Sequence, residues 1–198
     1  SLEFFLSHNK DFNQMSNKKV SIATATLVFF ISFSTFSKPE MIIGEAEIEP
    51  GIKLIFEGGI KDEITPTNVY LNEIETDVHL EILANWSNEA PKGAPKGGHV
   101  AYLEVEAIIR NEKTGAYNSV KLTPHLNMSD NLHYAQNIKL PGNTDEKYTV
   151  RFIIKSPIPG TIGMHYDWRN EVSDVISSGG NFTFTNLNFE EVANSSRR

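Results

Sequence analysis

Apolar residues recur at or near every second position along much of this chain, with polar residues between them. This spacing is typical of half-buried β-strands, because successive side chains of a strand point to opposite faces. It predicts strands over four segments, residues 69–83, 102–109, 148–154 and 181–189. The pattern shows no long helical period, so the chain is predicted to be almost entirely β.

Turn-forming residues separate the predicted strands at short intervals. Examples are Glu57-Gly-Gly59, Asn111-Glu-Lys-Thr-Gly115, Pro141-Gly-Asn143 and Pro157-Ile-Pro-Gly160. Glycine, proline and asparagine adopt the backbone angles that tight turns require. Many short strands joined by such turns favour an all-β fold, an immunoglobulin-like antiparallel β-sandwich, with a small barrel as the alternative.

The N-terminal part of the chain has the pattern of a secretory signal peptide rather than of a folded domain. Lys18 and Lys19 precede an apolar stretch over residues 20–36, and Thr35 and Ser37 are small residues suited to a cleavage site. We therefore predict an upstream extension plus signal peptide over 1–37, one immunoglobulin-like domain over 38–190, and a flexible tail over 191–198. The protein is expected in the periplasm, and an uncleaved membrane anchor is the alternative.

The composition of the chain argues against several classes of function. The 198 residues include 18 basic and 25 acidic side chains, of which the leader holds three and two, so the exported part carries a net charge near −8. Such an acidic surface makes nucleic acid an improbable partner. The absence of cysteine removes both a disulfide framework and thiolate metal ligands. No arrangement of nucleophile, base and orienting acid and no phosphate loop is evident, so we predict that the protein is not an enzyme.

Candidate metal ligands concentrate in one polar segment, residues 122–142. His125, Met128, Asp130 and His133 lie there on a short connection between two strand-like stretches. Imidazole and thioether groups are ligands of borderline and soft metals. In the predicted strand 69–83 four carboxylates and His79 share the odd-numbered face, which is equally typical of the solvated outer face of a sandwich.

Several short motifs follow one another in the order and spacing of a known family. They are Glu73-Ile-Glu-Thr-Asp-Val-His79 for H-x-E-A-D-I-H, His99–Val105 with Asn111–Gly115 for W-x-P-Y-L-x-I and N-x-D-T-G, Thr123-Pro-His125 and Asp130–Ile138 for M-P-M and D-G-P-H-Y-G-A-N-I, and Gly163–Asp167 for G-R-H-x-D. In these motifs the chain resembles the periplasmic Fe²⁺ transport proteins. These are immunoglobulin-like proteins that bind copper and iron beside high-affinity iron permeases of the bacterial inner membrane.

The resemblance implies a metal site and a set of ligands. Glu75, His133 and His165 match three of the family's ligands, whereas Glu73 stands in place of a histidine. His125 stands in place of a methionine, a role that Met128 takes if the insertion in this loop falls earlier; His79 is expected to be structural or to support the ligands. With two carboxylates and no thioether, this set favours harder ions than the family pattern does. The expected cargo is a divalent metal, Fe or Cu, with Zn or Mn as further options.

The resemblance also implies a function. The protein is expected to bind metal in the periplasm and present it to an inner-membrane iron permease, as a homodimer and with no small-molecule substrate beyond the ion. Two alternatives remain open from the sequence, a copper chaperone or resistance carrier and a metal-free binding module. A metal-free module predicts that Glu73, Glu75, His133 and His165 do not converge in space.

Overall fold

The computed structural model describes residues 40–197, so the predicted leader lies outside the described residues. These residues belong to one compact unit. They form eight strands and two short helices. The elements are β1 (Met41–Ile48), β2 (Ile52–Gly59), β3 (Val78–Trp86), β4 (Glu104–Asn111), β5 (Tyr117–Asn127), β6 (Asn131–Ile138), β7 (Tyr148–Lys155), α1 (Tyr166–Glu171), β8 (Gly180–Leu187) and α2 (Glu190–Asn194).

All neighbouring strands pair antiparallel, in the order β1-β2-β3-β6-β5-β4-β7-β8. Strand β5 takes part in two sheets. Its first part, from Tyr117 to Leu122, pairs with β4, and its last part, from Thr123 to Asn127, pairs with β6. One sheet therefore contains β1, β2, β3, β6 and the end of β5, and the other contains the start of β5 with β4, β7 and β8.

The two sheets pack face to face through aromatic side chains. Phe56 of β2 is fully buried, and its ring centroid lies 4.7 Å from that of Phe152 on β7. The same ring lies 5.2 Å and 5.1 Å from Phe182 and Phe184 on β8. These contacts between the inner faces of two antiparallel sheets confirm the predicted all-β sandwich.

The predicted strand 69–83 differs from the structure at its start, whereas the other three predicted strands agree within two residues at each end. Strand β3 begins at Val78, and Glu73 and Glu75 lie in a turn before it. The Asn72 side chain accepts a hydrogen bond from the Glu75 backbone N–H at 2.9 Å, and Thr76 Oγ1 donates to the Asn72 carbonyl at 2.6 Å. Side-chain bonds of this kind stabilise a turn in competition with an extended strand.

The C-terminal segment, predicted as a tail over 191–198, contains helix α2. Val192 and Ala193 of this helix are buried against the core, and Arg197 Nη1 lies 3.2 Å from Asp62 Oδ2. Burial of two apolar side chains explains why this segment packs on the domain. Between residues 40 and 197, no helix has the length and apolar character needed to span a membrane.

The outer face of the first sheet carries polar residues that are nevertheless buried. In β3 the even-numbered residues Leu80 and Ile82 enter the core, so His79 and Glu81 point the other way. The connection between β2 and β3, residues 60–77, runs beside this outer face and is called the cover loop below. It shields a polar site that would otherwise be open to water.

Candidate metal centre

Three histidines from three adjacent strands converge under the cover loop. His79 lies on β3, and His125 and His133 are directly paired residues of β5 and β6. One ring nitrogen from each lies within 4.8 Å of the others. The residues are only 3%, 7% and 1% exposed, so these three imidazoles share one buried pocket.

Glu81 adds a carboxyl group to this pocket. Its Oε2 atom lies 3.3 Å from His133 Nε2 and 4.0 Å from His79 Nε2. A Zn²⁺-like ion with ligand bonds of ~2.0–2.2 Å holds tetrahedral ligands about 3.3–3.6 Å apart. Small side-chain movements therefore suffice for three nitrogens and one oxygen to surround a single ion.

His133 has its second ring nitrogen occupied by the backbone. Its Nδ1 lies 3.0 Å from the Asn131 carbonyl oxygen, which can only accept a hydrogen bond. Nδ1 therefore carries the proton in the neutral ring, and the lone pair is on Nε2, the atom that faces Glu81. A ring held in this way is oriented for metal coordination, as in many known metal sites.

His125 has no hydrogen-bond partner for either ring nitrogen within the described part of the chain, although both atoms are buried. Its ring packs edge-on against Tyr70 of the cover loop, with centroids 4.9 Å apart. A buried polar group without a partner costs about 1–3 kcal/mol. A metal ion bound between the three rings would give His125 the partner that the protein does not supply.

Burial shifts the pKa values of the cluster in the direction that favours metal binding. Desolvation lowers the pKa of His79 and of His125 to about 4, and it lowers the pKa of His133 as well. Neutral imidazole is the form that coordinates a metal. Desolvation, with the nearby Glu57 as the next cause, raises the pKa of Glu81 to about 8. The unliganded site thus holds neutral histidines beside a protonated carboxyl at pH 7.

A cavity of about 390 Å³ connects the cluster with the surface. Its walls include the three histidines and residues of the cover loop such as Thr65 and Tyr70, together with Leu126 of β5. Thr65 and Leu126 are exposed, so the cavity leads from solvent to the imidazoles.

The structure brings together two of the five predicted ligands, His125 and His133. Glu73 and Glu75 lie in the turn before β3, where the Glu75 carboxylate accepts a hydrogen bond from Asn72 Nδ2. His165 is exposed at the start of α1 and lines a different cavity with Trp86 and Trp168. Their assignment as ligands stays a prediction that this geometry does not support.

His79 and Glu81 are not among the ligands predicted from the sequence. The signal was present, because the H-x-E pattern of the family occurs literally as His79-Leu80-Glu81, six residues after Glu73-Ile74-Glu75. The family's H-x-E can be aligned with residues 73–75 or with residues 79–81, because both lie in one segment of alternating apolar and polar residues. Met128, the other residue considered for the loop ligand, is fully exposed at the β5–β6 turn.

Comparison with known proteins agrees with the geometry. The family model described as Fe²⁺ transport protein matches residues 37–190. No curated protein sequence matches the chain at a significant level.

Several solved structures share the fold. A copper-bound variant of P19 from Campylobacter jejuni is 24% identical, with a TM-score of 0.64, over 74% of this chain and 96% of that one. FetP of uropathogenic Escherichia coli strain F11, expressed in the periplasm and studied as isolated, is 25% identical with a TM-score of 0.59. That match covers 75% of this chain and 97% of FetP. A copper-bound FetP variant is 23% identical, with a TM-score of 0.60, over 76% of this chain and 99% of that one.

Proposed function

This chain belongs to the Fe²⁺ transport protein family, and on that premise we propose that it binds a divalent transition metal through His79, His125, His133 and Glu81. The observation that carries the proposal is the state of His125, whose two buried ring nitrogens have no partner among the described residues and which lies against two further imidazoles. A metal-free binding module predicts that Glu73, Glu75, His133 and His165 do not converge, and of these four only His133 belongs to the cluster. The support for metal binding comes instead from His79, His125 and Glu81 beside His133.

The donor set defines which ions suit the site. Three imidazole nitrogens and a carboxyl oxygen are borderline and hard ligands, which fit Fe²⁺, Mn²⁺, Zn²⁺ and Cu²⁺ but offer no sulfur to Cu⁺. The family description names Fe²⁺, and we propose Fe²⁺ as the cargo. Raw affinity for such a site normally rises towards Cu²⁺, so the ion carried depends on supply as well as on the ligands.

We further propose that the protein is a carrier rather than an enzyme. It acts in the periplasm as a homodimer and presents its metal to an inner-membrane iron permease. The support for this role is the family description together with a cavity that reaches the cluster and has the exposed Thr65 and Leu126 among its walls. Such a cavity allows an ion to enter and leave while the sandwich stays folded.

Metal titration of the purified protein tests the proposal. We expect Fe²⁺, added without oxygen, to bind with one ion per cluster, and His133→Ala to lower the affinity at least 100-fold, because that variant removes the imidazole nearest Glu81. His99→Ala is the matched control, since His99 is partly buried and packs on Tyr134 outside the cluster.

Two results would contradict the proposal. One is equal affinity in the wild type and in His133→Ala, and the other is an equal loss in both histidine variants. Metal analysis of the protein purified from the periplasm separates an iron carrier from a copper carrier, because competition in solution favours Cu²⁺ over Fe²⁺ at either kind of site.

A further inference from the structure

We propose that Asn137 is a positioning residue, which holds the His79 ring in the tautomer that metal binding needs and fastens the cover loop over the site. Asn137 lies on β6 beside His79 of β3, as directly paired residues of the two strands. The role in metal binding rests on the proposed function, whereas the His79 tautomer and the loop contacts are properties of the metal-free protein.

The orientation of the Asn137 amide is fixed by two backbone carbonyls. Its Nδ2 atom donates to the Asp62 carbonyl oxygen at 2.7 Å and to the Leu71 carbonyl oxygen at 2.8 Å. Carbonyl oxygens only accept hydrogen bonds, so the nitrogen side of the amide must face them. The reversed amide would place Oδ1 against two carbonyl oxygens in a buried position, which is unfavourable.

This orientation dictates the tautomer of His79. With Nδ2 on the loop carbonyls, Oδ1 lies 2.9 Å from His79 Nδ1 and can only accept. The proton of the neutral imidazole is therefore on Nδ1, and the lone pair is on Nε2. His79 Nε2 is the atom that lies 4.0 Å from Glu81, on the side of the cluster. The opposite tautomer would direct an N–H group at the ion.

The same amide joins the cover loop to the metal ligands. Asp62 and Leu71 lie at the two ends of a stretch that includes Tyr70, whose ring packs against His125. One side chain therefore holds both ends of this stretch and one of the three imidazoles. Loss of Asn137 removes the acceptor of His79 and the attachment of the loop together.

Two substitutions separate these tasks. Asn137→Asp keeps an oxygen acceptor for His79 Nδ1 but has no donor for the loop carbonyls, whereas Asn137→Ala lacks both. Asn111→Ala is the matched control, because Asn111 is also buried and its amide bonds Glu146 and two backbone N–H groups, those of Lys113 and Thr114. It measures the effect of losing a buried amide elsewhere in the same sandwich.

The first measurement is the ¹⁵N chemical shift of the His79 ring nitrogens in metal-free protein above pH 7. We expect the Nδ1–H tautomer in the wild type, in Asn137→Asp and in Asn111→Ala. In Asn137→Ala we expect a mixture of tautomers. A wild-type ring with its proton on Nε2 overturns the proposal without any variant, as does an unchanged tautomer in Asn137→Ala.

The second measurement is amide exchange in the cover loop together with Zn²⁺ affinity. Val69 and Tyr70 N–H groups both bond the Pro66 carbonyl inside the loop, so their exchange reports on its order. We expect faster exchange at both in Asn137→Asp and Asn137→Ala, and a 10–100-fold loss of Zn²⁺ affinity in Asn137→Ala alone. An equal affinity loss in Asn111→Ala assigns the effect to general stability and overturns the proposal.

Failure of this inference is distinguishable from failure of the proposed function. If the wild type binds no Zn²⁺ or Fe²⁺, the carrier function is wrong, whatever the tautomer of His79. If metal binds and is lost in His133→Ala but His79 shows no dependence on Asn137, the carrier function stands and the positioning role is wrong.

Discussion

Glu81 and the histidines beside it have opposite preferences for protons, although they share one pocket. Burial raises the pKa of Glu81 to about 8 and lowers the pKa of His79 and of His125 to about 4. Near pH 7 the carboxyl group therefore keeps its proton while the rings stay neutral. A divalent ion that enters the site takes the place of that proton.

These shifts predict a pH dependence of stability in the metal-free protein. Folding raises the pKa of Glu81 from 4.5 to about 8, so its stabilising contribution is complete below pH 4.5 and is lost as pH rises to 8. Glu81→Gln should change the free energy of unfolding by less than about 1 kcal/mol at pH 5 and raise it by about 4 kcal/mol at pH 8. Urea unfolding at both pH values measures the difference.

The buried histidines give the free energy of unfolding the opposite pH dependence, which serves as an internal control. Their folded pKa of about 4 lies below the usual 6.5, so their contribution is complete above pH 6.5 and is lost as pH falls to 4. Glu81→Gln should retain this acid limb. A variant as unstable at pH 8 as the wild type contradicts the charge assignment of Glu81.

As a proposed ligand, His125 should influence the balance between soft and hard ions. The resemblance places it where the family pattern has methionine, and the proposed ligand set offers no thioether to Cu⁺. His125→Met should raise the affinity for Cu⁺ relative to Zn²⁺ by about tenfold or more. Competition titrations of each ion against a chelator measure the ratio, and Leu126→Met, at the exposed neighbouring position, is the control. An unchanged ratio in His125→Met would show that residue 125 is not a ligand.

At the residue scale the sequence indicated which types of side chain form the site, but it left open which positions in residues 69–83 contribute. The residue types in 122–142 indicated His125 and His133, and these two side chains lie together in the structure. The sequence pattern was not sufficient to decide whether Glu73-Ile74-Glu75 or His79-Leu80-Glu81 supplies ligands, because both segments have the alternation of a strand. The position of the site depends on the Asn72 hydrogen bonds, which keep the chain before Val78 in a turn. Side-chain hydrogen bonds of this kind leave no periodic pattern in the sequence.

Among the elements, β3, β5 and β6 each contribute one histidine, and β5 continues into the opposite sheet. A bound ion therefore cross-links three adjacent strands, including one that belongs to both halves of the sandwich. The metal should be coupled to the global stability of the fold rather than to a single loop.

This coupling predicts a thermal shift. Metal at 100 times its Kd should add about 2.7 kcal/mol to the free energy of unfolding. For a domain of this size each kcal/mol raises Tm by about 2–4 °C, so the expected shift is roughly 5–10 °C. Differential scanning calorimetry with and without Zn²⁺ measures it, and His125→Ala should abolish the shift. A shift of equal size in that variant means that the ion binds elsewhere.

Alternation was enough to predict strands, because each strand buries one face regardless of its partner. It did not predict which strands pair. The pairing of Val78 with Ile138 joins residues far apart in sequence, and the two-sheet path of β5 depends on how both sheets close around Phe56. Only this non-local pairing places His79 beside His133.

For the molecule as a whole, the excess of acidic residues gives a net charge of −7, and the site lies in a negative environment with Glu57 and Asp130 near Glu81. A field of this sign attracts cations from solution and speeds their encounter with the cavity. The family match and the histidine cluster support the proposed carrier function.

The proposed location is tested on the full chain expressed in a Gram-negative bacterium. Lys18, Lys19 and the apolar stretch before Ser37 predict cleavage near Lys38 and release when the outer membrane alone is disrupted. N-terminal sequencing of the released protein measures the first point, and a cytoplasmic enzyme controls for lysis. Recovery with the inner membrane after a high-salt wash contradicts the prediction and favours an anchor.

The proposed ligands contain nitrogen and oxygen but no sulfur, and this has a consequence for life under oxidative stress. Peroxide converts exposed methionine to its sulfoxide, which destroys a thioether ligand until a reductase repairs it. Here the methionine beside the site, Met128, is fully exposed and lies outside the histidine cluster. In the metal-free protein peroxide can thus modify Met128 while the four proposed ligands remain intact, so the site should keep its capacity for metal after exposure to peroxide.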